Sequence, residues 1–98
     1  MNISETRVKE VFARSVRVDD DTLTVDLSDG RSIAVPLAWY PRLLHGTAAE
    51  RANWRFIGSG EVIHWPELDE DISVAGLLAG RPSSESSESL RHWLEDRR

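Results

Sequence analysis

The stretch Thr22-Leu23-Thr24-Val25-Asp26-Leu27-Ser28-Asp29-Gly30-Arg31-Ser32-Ile33-Ala34-Val35-Pro36-Leu37 decides the fold. Leu23, Val25 and Leu27 alternate with polar residues, and Ile33, Val35 and Leu37 repeat the pattern, which marks two strands that each bury one face. A two-residue turn centred on Asp29 and Gly30 would set Ile33 opposite Asp26 and turn the apolar side of one strand onto the polar side of the other. Parity therefore requires a three-residue loop, Ser28-Asp29-Gly30, with Leu27 opposite Arg31, Val25 opposite Ile33 and Leu23 opposite Val35. Gly30 then occupies the left-handed bulge position, where the missing Cβ removes the steric penalty.

Toward the N-terminus, residues 8–18 are rich in β-formers, but their alternation slips between Val11 and Val16, which predicts a strand with a bulge. Asp19, Asp20 and Asp21 connect it to the next strand. On the other side, Pro36 ends the third strand and Pro41 fits only the first turn of a helix, so a short helix is expected over residues 41–45, closed by Gly46. Thr47 and Glu50 match a capping box that opens a second helix through about Asn53. Trp54, Phe56 and Ile57 read as a strand, broken at Gly58-Ser59-Gly60, resumed by Val62, Ile63, His64 and Trp65, and stopped by Pro66. Ser73 caps a final core helix in which Val74, Leu77 and Leu78 follow the i, i+3, i+4 spacing, and Gly80 ends it.

These elements predict an α+β fold: a small antiparallel sheet, made of a three-stranded N-terminal meander plus a later strand pair, packed with short helices in one domain over residues 1–80. Residues 81–98 form a second part. Five serines and one proline fall between positions 81 and 89, a Ser-rich linker, and the stripe Leu90, Trp93, Leu94 predicts a short amphipathic C-terminal helix. No internal repeat is visible.

At 98 residues the chain can build one core but not two domains or a deep cofactor cleft. It has no cysteine, which excludes disulfides, thiolate metal sites and a thiol nucleophile. No apolar run approaches the ~18 residues that span a bilayer, and no charged-then-apolar leader opens the chain, so a cytoplasmic location is expected. Twelve Lys and Arg against 17 Asp and Glu give a net charge of −5. Residues 1–57 and residues 72–98 are each neutral, so the whole excess lies in residues 58–71: Glu61, Glu67, Asp69, Glu70 and Asp71. A local cluster of this kind steers a basic partner or holds a cation, and it disfavours nucleic acid.

The densest polar stretch is His64-Trp65-Pro66-Glu67-Leu68-Asp69-Glu70-Asp71. His64, Glu67, Asp69 and Asp71 are ligand types for a divalent cation, although no H-x-x-x-H pair or EF-hand pattern is present. A second reading places Asp69, Glu70 and Asp71 just ahead of the helix near Ser73, where negative charge suits the helix dipole. A third pairs the segment with Arg31, Arg42, Arg51 and Arg55 inside the fold. Trp54 and Trp65 are expected in the core, whereas Trp39 and Tyr40 with Arg42 flank a bend and suit an exposed recognition patch. No serine has a nucleophile-elbow context, and Gly58-Ser59-Gly60 leads into Glu61 rather than the Lys of a phosphate loop.

The blocks Ser28-Asp29-Gly30-Arg31, Pro36-Leu37-Ala38-Trp39-Tyr40-Pro41-Arg42-Leu43 and Ile63-His64-Trp65-Pro66-Glu67-Leu68-Asp69-Glu70-Asp71-Ile72 resemble the bacterial family of domains of unknown function numbered 2442 (DUF2442), and Arg51, Asn53 and Trp54 fit at their spacing. The likeness spans most of residues 8–80. It implies a small α+β fold, no established catalytic residues and, for some members, a neighbouring gene for a small toxin that the protein neutralises. Other members carry an appended helix-turn-helix, for which the eighteen residues after Gly80 are too few.

The expected function is a non-enzymatic protein-binding module without a cofactor, an antitoxin-like or regulatory partner of a small basic protein. Its contact residues would be Trp39, Tyr40, Arg42, Glu67, Asp69, Glu70 and Asp71, with Leu90, Trp93 and Leu94 as a helix-in-groove anchor. The alternative is a metal- or small-ligand-binding domain centred on His64, Glu67, Asp69 and Asp71. Neither nucleic acid nor a membrane is an expected partner, and self-association through a sheet edge or the terminal helix stays open.

Overall fold

A computed structural model describes residues 10–97, which leaves Val8, at the outer end of the first expected strand, outside the described residues. The expected meander is present: β1 (Ala13–Val18), β2 (Thr22–Leu27) and β3 (Ser32–Pro36) form one antiparallel sheet in that order. Leu23 stands opposite Val35 and Val25 opposite Ile33, and the Leu27 amide donates to the Arg31 carbonyl at 2.8 Å, the register parity demanded. Gly30 closes the loop at φ 92°. The slip in β1 is a bulge between Ala13 and Ser15, after which Val16 pairs with Val25 and Val18 with Leu23.

A 3-10 turn over Leu37–Trp39 leads into α1 (Pro41–Leu44) and α2 (Ala48–Ala52), and both halves of the Thr47–Glu50 capping box are formed. The second half of the domain departs from expectation. Instead of a strand pair there are three strands, β4 (Arg55–Ile57), β5 (Val62–Trp65) and β6 (Glu70–Ser73), in a second antiparallel sheet. Pro66 does end β5, but Pro66, Glu67, Leu68 and Asp69 form a loop that returns the chain, with Asp69 at φ 49°, so that Glu70 pairs with Trp65 and Ile72 with Ile63. The acidic run is therefore an edge strand rather than the approach to a helix dipole. Ser73 ends that strand and caps α3 (Val74–Leu78), accepting a hydrogen bond from the Gly76 amide.

The two sheets meet at Gly60, where the carbonyl accepts from the Ala13 amide at 2.8 Å. A Cβ on Gly60 would stand 2.6 Å from the Ala13 carbonyl oxygen, and its φ of 110° suits glycine alone. Apolar side chains from both sheets form one core, with Leu23, Val25, Leu37, Leu43, Ile63, Trp65 and Leu68 fully buried. The Trp65 indole nitrogen donates to the Arg51 carbonyl at 3.0 Å, so the ring is packed and its polar edge is satisfied. Trp54 is only half-buried and packs at a tilt against Phe56, 5.0 Å between ring centroids. Val74 and Leu77 enter the core from α3, but Leu78, the third residue of the expected stripe, is 41 % exposed, so the buried face of α3 is narrower than the i, i+3, i+4 spacing predicts. The chain leaves α3 through bonds from Gly80 N to Leu77 O and Arg81 N to Gly76 O, crosses a strap of residues 81–86, and ends in α4 (Ser87–Asp96). Among the described residues no helix is long and apolar enough to cross a membrane.

Candidate functional site

Arg42 enters α1 directly after Pro41, and its guanidinium bridges three segments that are distant in sequence. Nε donates to both Glu85 oxygens at 2.9 and 3.0 Å, and Nη2 donates to Glu85 Oε2 at 2.5 Å. Nη1 reaches the Leu68 and Asp69 carbonyls at 3.4 and 3.3 Å, and the Asp69 carboxylate at 3.6 Å. The Arg42 and Glu85 side chains are 15 % and 11 % exposed, so this is a nearly dry, multidentate pair. The hydrogen bonds from Arg42 hold the Glu85 carboxyl below its ordinary range, and Glu85 in turn raises Arg42.

The strap is fixed beside this pair. The Ser83 amide donates to the Trp39 carbonyl at 2.9 Å, the Tyr40 hydroxyl donates to the Arg81 carbonyl at 3.1 Å, and the Ser89 hydroxyl donates to Glu85 at 2.8 Å. Ser86 caps α4. From that helix the Trp93 ring projects between two guanidinium groups, Arg42 at 5.1 Å and Arg97 at 4.5 Å from its centroid. Arg97 closes the arrangement with two bonds to the Glu50 carboxylate, 2.7 and 3.1 Å. Glu50 also accepts from the Thr47 amide, and these donors, Arg97 first, bring its carboxyl down to about 2. One carboxylate therefore completes a cap and anchors the terminal helix.

Glu70 differs from every carboxylate in this cluster. Its Oε1 accepts only the Asp71 amide at 3.2 Å, while Oε2 is buried and meets no donor. Burial pushes its carboxyl up to about 7, with Glu85 and Asp71 adding to the rise and Arg42 opposing it. Tyr40, near it, is raised by burial and by the Glu70 charge.

The residues singled out from sequence separate into groups. Tyr40 is 4 % exposed and Trp39 is half-buried against the core, so this pair is not an exposed recognition patch: the 3-10 turn rotates both rings inward and the strap covers them. Arg42 is engaged as described. Leu90, Trp93 and Leu94 are half-buried, with Trp93 packed against the core, so α4 docks on its own domain. Of the four arginines weighed as partners for the acidic segment, Arg42 alone reaches it. Arg31 pairs with Asp29 at 2.7 Å, Arg51 reaches Asp20 and the Leu43 and Leu44 carbonyls, and Arg55 stands across from His64 in the sheet. The cation reading also fails geometrically. His64 and Asp71 face each other across β5 and β6 at 2.5 Å, but Glu67 turns to Asn53 at 2.7 Å and Asp69 to Arg42. Among the described residues no three His, Asp or Glu side chains gather where they could hold a metal ion. Glu50, Glu85 and Arg97 were not singled out from sequence, and only the Thr47–Glu50 spacing hinted at one of them.

The family model for DUF2442, a protein of unknown function, matches residues 13–83. The chain belongs to this family. The DUF2442 match contains both sheets, α1 to α3 and Arg42, and it stops two residues short of Glu85. A crystal structure of a protein of unknown function from Rhodospirillum rubrum is similar at 29 % identity with a TM-score of 0.68, covering 79 % of this chain and 95 % of that one. A solution structure of an uncharacterised protein from Chromobacterium violaceum shares the fold at 23 % identity and a TM-score of 0.62, over 83 % of this chain and 74 % of that one. No curated protein matches the chain.

Proposed function

We propose that this DUF2442 protein is a non-enzymatic protein-binding module, an antitoxin-like or regulatory partner of a small basic protein. The observation that supports this reading is α4. It lies beyond the residues the family model matches, contains no fully buried residue, and is held by the Arg97–Glu50 pair, the Arg42–Glu85 pair and a stacked tryptophan. An element held by so little apolar burial detaches readily, and its Leu90, Trp93, Leu94 face suits a groove on another protein. The basic character of the partner rests on the acidic segment, whose Asp69 and Asp71 side chains are 88 % and 60 % exposed. Such charges act on the association rate more than on final affinity.

The test is a pull-down with the full chain from its native cell, read against the product of the neighbouring gene, followed by association kinetics with the small basic protein recovered. Replacing both carboxylates, D69N with D71N, is expected to slow association about threefold to tenfold at low salt and to lose that effect at high salt. Rates that match wild type at both ionic strengths reject the electrostatic contact. Affinity that survives deletion of residues 84–98, with the remaining domain folded by circular dichroism, rejects the part assigned to α4.

A further inference from the structure

Leu68, Glu70, Ile72 and Val74 occupy alternate positions along the returning chain, and the three apolar ones are at most 4 % exposed. Glu70 therefore places a carboxyl group at a core-facing position. Two solvent-open cavities of about 300 Å³ each flank it and share Glu70, Ser83 and Ser84 as walls. One extends toward Tyr40, Ser73 and Arg81, the other toward Arg42, Asp69 and Glu85. The strap that carries α4 thus lies over Glu70, the one carboxylate among the described residues with an oxygen buried without a donor.

The charged and titratable groups around Glu70 come from each neighbouring segment. Tyr40 and Arg42 face it from the 3-10 turn and α1, Asp69 and Asp71 from its own hairpin, and Glu85 from the strap, with exposed Arg81 at the far rim of the first cavity. Arg42 is already committed to Glu85. In the closed form Glu70 Oε2 meets no donor, so an anion there is left uncompensated, whereas a neutral carboxyl needs a partner less strongly.

We propose that Glu70 is a proton-controlled latch on the C-terminal arm: protonated, it lets the strap close and leaves Arg42 to Glu85; ionised, it competes for Arg42 and lifts the strap and α4 away. The direction follows from linkage. Glu70 in the closed form sits at about 7, above the ordinary 4.5, so its contribution to closure is complete below about 4.5 and is lost as pH rises through 7. Glu85 and Glu50 act oppositely, since their lowered values make both ion pairs fail as pH falls below the ordinary 4.5. The arm is accordingly held most firmly in mild acid and released in base. This regulation goes beyond the proposed function and needs no partner to be observed.

Hydrogen exchange of the α4 amides, corrected for the intrinsic pH dependence, and the Trp93 indole resonance test it in the full chain between about pH 5 and about pH 9. In the wild type, arm opening is expected to grow by up to about tenfold per pH unit toward 7, with Trp93 shifting in step, while E70Q stays flat. A flat wild-type profile overturns the proposal. So does a transition that persists in E70Q, which would place its origin in another group. Should E70Q fail to fold, the carboxyl carbon resonance of Glu70 in the wild type decides. A midpoint near 4.5 overturns the latch, and one near 7 that moves with Trp93 supports it.

Discussion

The two sheets are alike in topology and opposite in how they treat a carboxylate. In the first sheet Asp26 lies on the outward face of the central strand and is saturated: Ser15 and Ser32 donate at 2.6 Å each and Arg17 at 2.7 and 3.4 Å. These donors, Arg17 first, hold its carboxyl far below the usual range. In the second sheet Glu70 lies on the inward face of an edge strand with one weak donor, and it is raised instead. The first sheet is finished within itself, through a tight hairpin and a complete polar row. The second is flanked at its outer edge by a strap that begins within the family-matched residues and runs past their end at residue 83. Position in the alternation, more than residue type, decides whether an acid reinforces a sheet or loads it.

The largest expected effect tests whether the sheets are one unit at all. Trp65 in β5 is fully buried in the core that both sheets share, and W65A is expected to cost about 3–5 kcal/mol in urea unfolding with a single transition. Two separate transitions would divide the molecule where the shared core says it cannot be divided. Next, R42A removes the nearly dry partner of Glu85 and is expected to weaken docking of α4 by about 2 kcal/mol, read as faster exchange in Leu90 to Leu94. Exchange in β2 should not change, and a parallel loss there would mean that the first sheet also leans on the arm. The smallest effect contrasts the two acids directly. E70Q should raise stability by about 1 kcal/mol near pH 8, after allowance for solvent screening, and change nothing near pH 4. D26N should lower the melting temperature at neutral pH, and its effect should fade as acid protonates the native Asp26 carboxylate below the ordinary 3.8. If both variants moved stability the same way at neutral pH, the contrast between the sheets would fail.

Much of the first sheet was legible because its side chains obey their period. Leu23, Val25, Ile33 and Val35 fixed the register, and the loop length followed from parity alone. The capping box was equally legible, since two residue types at one spacing satisfy two amides. The β6 strand was not, because Glu70 occupies an inward position and breaks the apolar alternation that Leu68, Ile72 and Val74 would otherwise display. The acids in that segment thus read as a solvated run or a helix approach, and the local charge hid a strand. Tyr40 misled for a related reason: a ring beside two prolines suggests a surface bend, and its burial depends on a strap forty residues later. The cluster around Arg42 joins α1, the β5–β6 loop and the strap, and no local spacing announces contacts made across such separations.

The double use of Glu50 has a mechanical consequence. A pull on the chain beyond α4 would load the Arg97–Glu50 contact first, then the stacked Trp93, then Arg42 and Glu85, before any sheet hydrogen bond felt the force. Because Glu50 is also half of the α2 cap, the first contact to yield would loosen the start of that short helix. The terminal arm therefore behaves as a fuse in series with the domain, extending and reporting strain at the Trp93 ring while the two sheets remain intact.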